Sequence, residues 1–229
     1  MSAPQKLVIA IDGPAGSGKS TIAARLAKRL GYVNLESGAM YRALALKAIE
    51  QDVSFDDAEA LRKLAENSTI HLEPRGEGNR VLLDRRDVSQ RVREADVTAA
   101  ASRVSVHPQV RQLMVARQRE LGASGGVVME GRDIGTAVFP NAEVKIFLDA
   151  DATVRSERRV LQNGSQSAEE VQRVQAEIAA RDERDRNRAT SPLIPAADAV
   201  VIDTTHKSIG DVVEEVLRIV EKIKLKADI

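Results

Sequence analysis

The segment Gly13-Pro14-Ala15-Gly16-Ser17-Gly18-Lys19-Ser20, followed by Thr21, fits the pattern G-x-x-x-x-G-K-[ST]. Its glycines let the backbone wrap closely around a phosphate, with amide N–H groups turned inward. A helix opening here would aim its N-terminus at the same anion. Lys19 has the reach for β- and γ-phosphates, and the Ser20 hydroxyl suits Mg²⁺. These residues point to a nucleoside triphosphate with Mg²⁺. The Asn-Lys-x-Asp segment of a guanine reader and the Leu-Ser-Gly-Gly-Gln signature of transporter ATPases are both absent.

Arginine also stands where a second anion could be met. Ser37-Gly38-Ala39-Met40-Tyr41-Arg42 follows a short apolar run. Ser37 can cap the next helix there, with Arg42 one turn in. Glu130-Gly131-Arg132-Asp133-Ile134-Gly135-Thr136 follows another such run, and the carboxyl ends of parallel strands are where α/β sheets bind ligands. In Arg181-Asp182-Glu183-Arg184-Asp185-Arg186-Asn187-Arg188, helical spacing brings 181, 184, 185 and 188 to one face. Arg155, Arg158 and Arg159 lie on a segment broken by Asn163-Gly164-Ser165, as a lid over triphosphate would be. Each cluster also has a plain structural reading: a helix cap, a turn, a solvated ladder of ion pairs, a surface helix.

Together the clusters answer a charge demand. ATP·Mg²⁺ and a nucleoside monophosphate bring about −4 between them, and phosphoryl transfer presses the two anions together. Cations placed in advance offset that repulsion; simple hydrolysis needs fewer. The balancing carboxylates are expected largely elsewhere in the chain, apart from Asp133 and Asp185.

These residues need a frame. Residues 7–12, 126–130, 144–149 and 199–203 are near-continuously apolar, as strands buried on both faces of a parallel sheet are; 32–35 is a weaker run of the same kind. Helical spacing covers 21–30, 108–121, 168–188 and 208–226, with Pro108 in a first turn. Strands alternating with helices predict an α/β fold. Residues 70–92 break the rhythm. Two alternating runs flank Arg75-Gly76-Glu77-Gly78-Asn79, which predicts an antiparallel hairpin between helices at 57–66 and 94–105. It reads as a small α+β insertion in the core, not a separate domain.

Composition narrows the functional classes. The 229 residues suit a single core with an insertion. Lys+Arg and Asp+Glu are both 34, so the net charge of zero gives no sign of a nucleic-acid binder. With no Trp, two Tyr and three Phe, a base would be read by hydrogen bonds and aliphatic walls rather than by stacking. The absence of Cys excludes disulfides, thiol catalysis and cysteine zinc sites. His71, His107 and His206 stand alone, with no metal-ligand spacing. The N-terminal segment lacks a signal-peptide layout and no run approaches a membrane span, so a cytoplasmic protein is expected.

Five motifs occur in order: G-P-A-G-S-G-K-S, L-E-S-G-A-M-Y-R, E-G-R-D-I-G-T, V-K-I-F-L-D-A and R-D-E-R-D-R-N-R. Together they resemble the bacterial cytidylate kinase family over nearly the whole chain; other nucleoside monophosphate kinases share only the phosphate loop and the general plan. The resemblance implies a phosphate-loop kinase fold, with a five-stranded, mostly parallel sheet flanked by helices. It implies one domain over 1–229, a monophosphate-binding insertion at 67–105 and a mobile lid at 153–168. The implied activity is transfer of the γ-phosphoryl group of ATP, with Mg²⁺, to CMP and dCMP by a monomer that needs neither nucleic acid nor membrane. Ser37, Arg42, Arg132 and Arg188 would face the acceptor phosphate. Asp133, Arg111 and Ser102 would read the cytosine edge, Arg181 and Asp185 would bind the sugar, and Arg158 would belong to the lid. Lys19, Arg132, Arg158 and Arg188 would be the catalytic cations. Glu36 and Glu130 depart from the Asp commoner in the family. A kinase of another small metabolite, such as shikimate, and a nucleotide-dependent regulatory ATPase share the loop and stay open at this point.

Overall fold

The computed structural model describes residues 6–75, 78–162 and 167–227. In chain order the elements are β1 (Val8–Asp12), α1 (Lys19–Leu30), β2 (Val33–Glu36), α2 (Ser37–Glu50), α3 (Ala58–Glu66), β3 (Ile70–Arg75), β4 (Gly78–Leu83) and β5 (Arg86–Asp87). They continue with α4 (Ala95–Val104), α5 (Pro108–Gly122), β6 (Val127–Gly131), β7 (Val144–Asp149), α6 (Ala152–Gln162), α7 (Ala168–Asn187), β8 (Val200–Asp203) and α8 (Ile209–Ala227).

The apolar runs become one sheet in the order β2-β6-β1-β7-β8. All its pairings are parallel, so the expectation of a mostly parallel sheet is met in full. Successive residues of a strand face opposite sides, and each side has its own core. Ala10, Leu35 and Met129 meet α2, α4 and α5, while Ile9, Ile11, Val128 and Ile146 meet α1 and α8. Interior strands are therefore apolar on both faces apart from Lys145 of β7 and the carboxylates near the strand ends, whereas the edge strand β8 buries only Ile202.

The irregular stretch forms a three-stranded antiparallel sheet, β3-β4-β5. The tip of its hairpin, Gly76-Glu77, lies outside the described residues, as does Asn163-Gly164-Ser165 of the expected lid. Leu72, Val81 and Leu83 of this sheet join the buried cluster of α2 and β2. Asn79 adds a polar link. Its Oδ1 accepts from Glu36 N and its Nδ2 donates to Asn34 O, both at 2.8 Å. A side-chain amide thus covers the free edge of β2.

All five strands of the main sheet end on one side, and there the chain is tightly held. Gly13 follows β1 at φ 148°, and a Cβ on it would stand 2.0 Å from the Leu148 carbonyl oxygen. Only glycine allows the loop to leave the sheet so close to β7. Asp12, the last residue of β1, accepts from the N–H groups of Ile134 and Gly135, each at 2.7 Å. Burial raises the Asp12 carboxyl to about 6 even against these donors. The two bonds set the wide π-helical turn Ile134–Val138 after β6 and so fix where Asp133 stands. No helix among the described residues is long and apolar enough to cross a membrane.

Replacing Asp12 tests this tie. Asp12→Ala strands two buried N–H donors and should cost about 2–4 kcal/mol. Asp12→Asn, with one acceptor oxygen, should fall between alanine and wild type. Urea unfolding curves measure both; a loss below about 1 kcal/mol for alanine would show that the turn holds itself.

Candidate active site

The phosphate loop bridges β1 and α1, with Gly18 in the left-handed region at φ 91° just before the first helical residue, Lys19. Lys19 is buried and donates from Nζ to the Pro14 carbonyl at 2.6 Å and to Ser17 Oγ at 3.4 Å. Burial, with the charges of Arg132 and Arg181, brings its pKa down to about 7. A phosphate alongside would favour the charged form. The Ser20 hydroxyl donates to Glu130 Oε1 at 3.1 Å. Hydroxyl and carboxylate oxygens suit a hard divalent cation, and Mg²⁺ carried by phosphates needs no cage of protein ligands. Among the described residues no group of three or more His, Cys, Asp or Glu is arranged to hold a metal. The residues present thus fit an ion that arrives with a nucleotide.

A cavity of about 1360 Å³ is lined by this loop, by Ser37, Arg42, Arg132 and Arg181, and by Ser102, Arg111 and Asp133. Its arginines are held by carboxylates. Glu36 meets Arg42 Nη2 at 3.3 Å and Arg93 Nη2 at 3.4 Å. Asp185 Oδ2 accepts from Arg132 Nε at 3.0 Å, and its Oδ1 lies 3.7 Å from Arg188 Nη1. Burial alone would raise the Asp185 carboxyl, but Arg132, Arg181 and Arg188 outweigh it and hold it below its ordinary value. Burial, then the Glu130 charge, pushes Glu36 up. Arg181 Nε is buried without a hydrogen-bond partner among the described residues. Burial, then Arg132, brings Arg181 down to about 10.

Asp133 also lines the cavity. Its Oδ2 pairs with Arg111 Nη2, and its Oδ1 lies 3.6 Å from Arg188 Nη2. Arg111 also donates to the Ser105 carbonyl at 3.2 Å and sits over the Tyr41 ring, 5.6 Å from its centroid. Ser102 Oγ and Arg111 Nε are buried without hydrogen-bond partners among the described residues. Two donors are thus left for something polar, next to a carboxylate flanked by cations.

Several sequence expectations are corrected here. Ser37 does not cap α2. The capping position is Glu36, and the Ser37 hydroxyl donates instead to the Glu130 carbonyl at 2.8 Å. The basic face of α7 is not a solvated ladder, for Asp185 and Arg188 are buried and Arg181 lines the cavity. Besides Asp133 and, on α7, Asp185, three further buried carboxylates stand at the strand ends, Asp12, Glu36 and Glu130. Of the α6 arginines, Arg159 lines the cavity and Arg155 is turned away from it. Arg158 lines the cavity and is held by Thr204, donating to its carbonyl at 2.6 Å and to its Oγ1 at 3.1 Å.

Sequence reasoning missed the anchoring roles of Asp12, Glu36, Glu130 and Tyr41. One signal was available. Asp12, Glu36 and Glu130 are charged residues closing apolar runs at strand ends. Tyr41 under Arg111 had no such signal, because 70 positions separate the two along the chain.

The family model described as cytidylate kinase matches residues 9–222. A cytidylate kinase of Geobacillus kaustophilus is 48% identical over 219 residues, 95% of this chain and 98% of its own. One from Enterococcus faecalis is 47% identical over 218 residues, covering 95% and 96%. Among solved structures, a gluconokinase from Sinorhizobium meliloti covers 98% of this chain and 99% of its own at 13% identity and a TM-score of 0.50, a likeness of fold. With the sequence match running from the first strand to the last helix, the chain belongs to the cytidylate kinase family.

Proposed function

We propose that this protein transfers the γ-phosphoryl group of ATP to CMP and dCMP, giving ADP with CDP or dCDP. The observation that carries the reading is one cavity holding both the phosphate loop and the Arg111–Asp133 pair. In the reaction an oxygen of the acceptor phosphate attacks the γ-phosphorus as its bond to the bridging oxygen of ADP breaks. The acceptor is already an oxyanion at neutral pH, so no strong base is needed. Catalysis rests on positioning and on charge stabilisation.

The chain's own residues divide the work. The loop from Gly13 to Thr21 holds the triphosphate, chiefly through the backbone N–H groups from Gly16 onward, since Pro14 has none and Asp182 takes that of Ala15, and Lys19 meets the charge that develops on the transferring group. The Ser20 hydroxyl, kept in place by Glu130, would hold Mg²⁺, which when bound offsets charge on the phosphate oxygens. Ser37, Arg42, Arg132 and Arg188 orient the acceptor phosphate, while Arg181 and Asp185 take the sugar. Arg158 completes the cationic wall on the ATP side, on the 153–168 lid. The 67–105 insertion supplies Ser102 and closes the acceptor side.

Base choice follows from hydrogen-bond polarity. Asp133 accepts from an exocyclic amine, Arg111 donates to a carbonyl, and Ser102 Oγ can do either. Cytosine offers the amine; uracil presents a carbonyl to the Asp133 carboxylate instead. Zero net charge and the shortage of aromatics support a small-molecule substrate over nucleic acid. Nothing in these roles calls for a second subunit or a membrane, in keeping with a cytoplasmic monomer.

Two variants test the assignments in a coupled ADP-release assay. Lys19→Ala should lower kcat by roughly 10²–10³ with KM for CMP little changed; near-normal turnover would refute the loop's role. The wild type should prefer CMP and dCMP over UMP by about 10² or more in kcat/KM. Asp133→Ala should shrink that ratio toward unity, and an unchanged ratio would mean that Asp133 does not read the base.

A further inference from the structure

The roots of α6 and α7 grip the phosphate loop from outside the cavity. Arg155 on α6 and Asp182 on α7 are both buried, with Arg155 Nη1 2.5 Å from Asp182 Oδ2. Both turn on one loop residue. Asp182 Oδ1 accepts from the Ala15 N–H at 3.2 Å, and Arg155 Nη1 donates to the Ala15 carbonyl at 2.9 Å. Arg155 Nε is itself fixed on the Ala150 carbonyl at 3.0 Å. The approach is close: a Cβ on Gly16, at φ +78°, would stand 2.9 Å from the Arg155 carbonyl oxygen. A second tie lies nearby, where Thr204, held by Arg158, donates from Oγ1 to the Ser17 carbonyl at 3.3 Å.

Packing does not require this pair. Val160, Val174 and Ile178 already form an apolar contact between α6 and α7, and an apolar pair often serves stability as well as a buried ion pair does. What an apolar pair cannot do is hold the N–H and the C=O of one residue at once. A trans peptide is planar, with its C=O and N–H pointing in opposite directions. Turning the Ala15 carbonyl onto Arg155 therefore aims the Gly16 N–H away from α6, on the part of the loop that lines the cavity.

We infer that Arg155 and Asp182 are positioning residues for the donor site, which set the Ala15–Gly16 peptide for the triphosphate and root the α6–α7 pair in the phosphate loop. The inference rests on the reading that this loop binds ATP.

The test uses Asp182→Ala, which removes both contacts of the carboxylate, and Asp182→Asn, which keeps an acceptor for the Ala15 N–H. NMR hydrogen exchange follows the Ala15 and Gly16 amides, and calorimetry measures binding of a non-hydrolysable ATP analogue. Asp182→Ala should speed exchange of the Ala15 amide at least tenfold. It should also weaken the analogue and raise KM for ATP about tenfold, with KM for CMP within twofold. Asp182→Asn should recover much of both effects. Unchanged exchange and analogue affinity in the alanine variant would overturn the inference. So would equal rises in both KM values with asparagine no better than alanine, the mark of a merely structural role. If alanine does not fold, Asp182→Asn and Arg155→Lys are read by the same split between ATP and CMP. Should the wild type bind the analogue yet fail to phosphorylate CMP, the proposed function falls while the exchange and binding results still judge this pair.

Discussion

Cationic side chains gathered in one cavity repel each other, and burial makes each charge costlier. The site of this protein is built around that constraint. Glu36 takes Arg42 and Arg93, Asp185 takes Arg132 and Arg188, and Asp133 takes Arg111. Each carboxylate keeps the fork of its arginine oriented before an anion arrives, which is what preorganised stabilisation of a phosphoryl group requires. Burial lowers Arg42, Arg188 and Arg181 alike, and it brings Arg181, whose Nε has no hydrogen-bond partner among the described residues, down to about 10.

The carboxylates in turn depend on the sheet. Glu36 and Glu130 are paired residues of β2 and β6, and Asp12 pairs with Gly131 at the end of β1. Neighbouring parallel strands therefore bring three carboxylates to one edge at the spacing of the strands. Asp12 looks inward to the turn after β6, Glu130 to Ser20, and Glu36 to the arginines of α2 and the insertion. The Glu130 side chain spans from β6 to the start of α1. The five-stranded core thus fixes charges as much as it buries apolar surface.

Much of this was legible in the residues. The phosphate loop, the apolar runs, the hairpin and the arginine clusters each announced themselves through local spacing. The weakest strand reading, at 32–35, proved to be β2, the edge strand that the insertion covers. Ser37 was misread because a hydroxyl at a strand–helix junction is the usual cap. Here the Glu130 carbonyl of a neighbouring strand competes for it and wins.

By itself the sequence determined which chemistry is possible: a triphosphate loop, an α/β frame, and more arginine than hydrolysis would need. Periodicity and motif are local properties, so neighbours along the chain suffice to show them. Only the tertiary structure decided how those arginines are neutralised, that Arg111 pairs with Asp133, and that Arg155 and Asp182 hold Ala15. The physical reason is distance along the chain. Ala15 and Arg155 are 140 positions apart, and a contact made by folding over that span leaves no pattern in the spacing of either residue's neighbours.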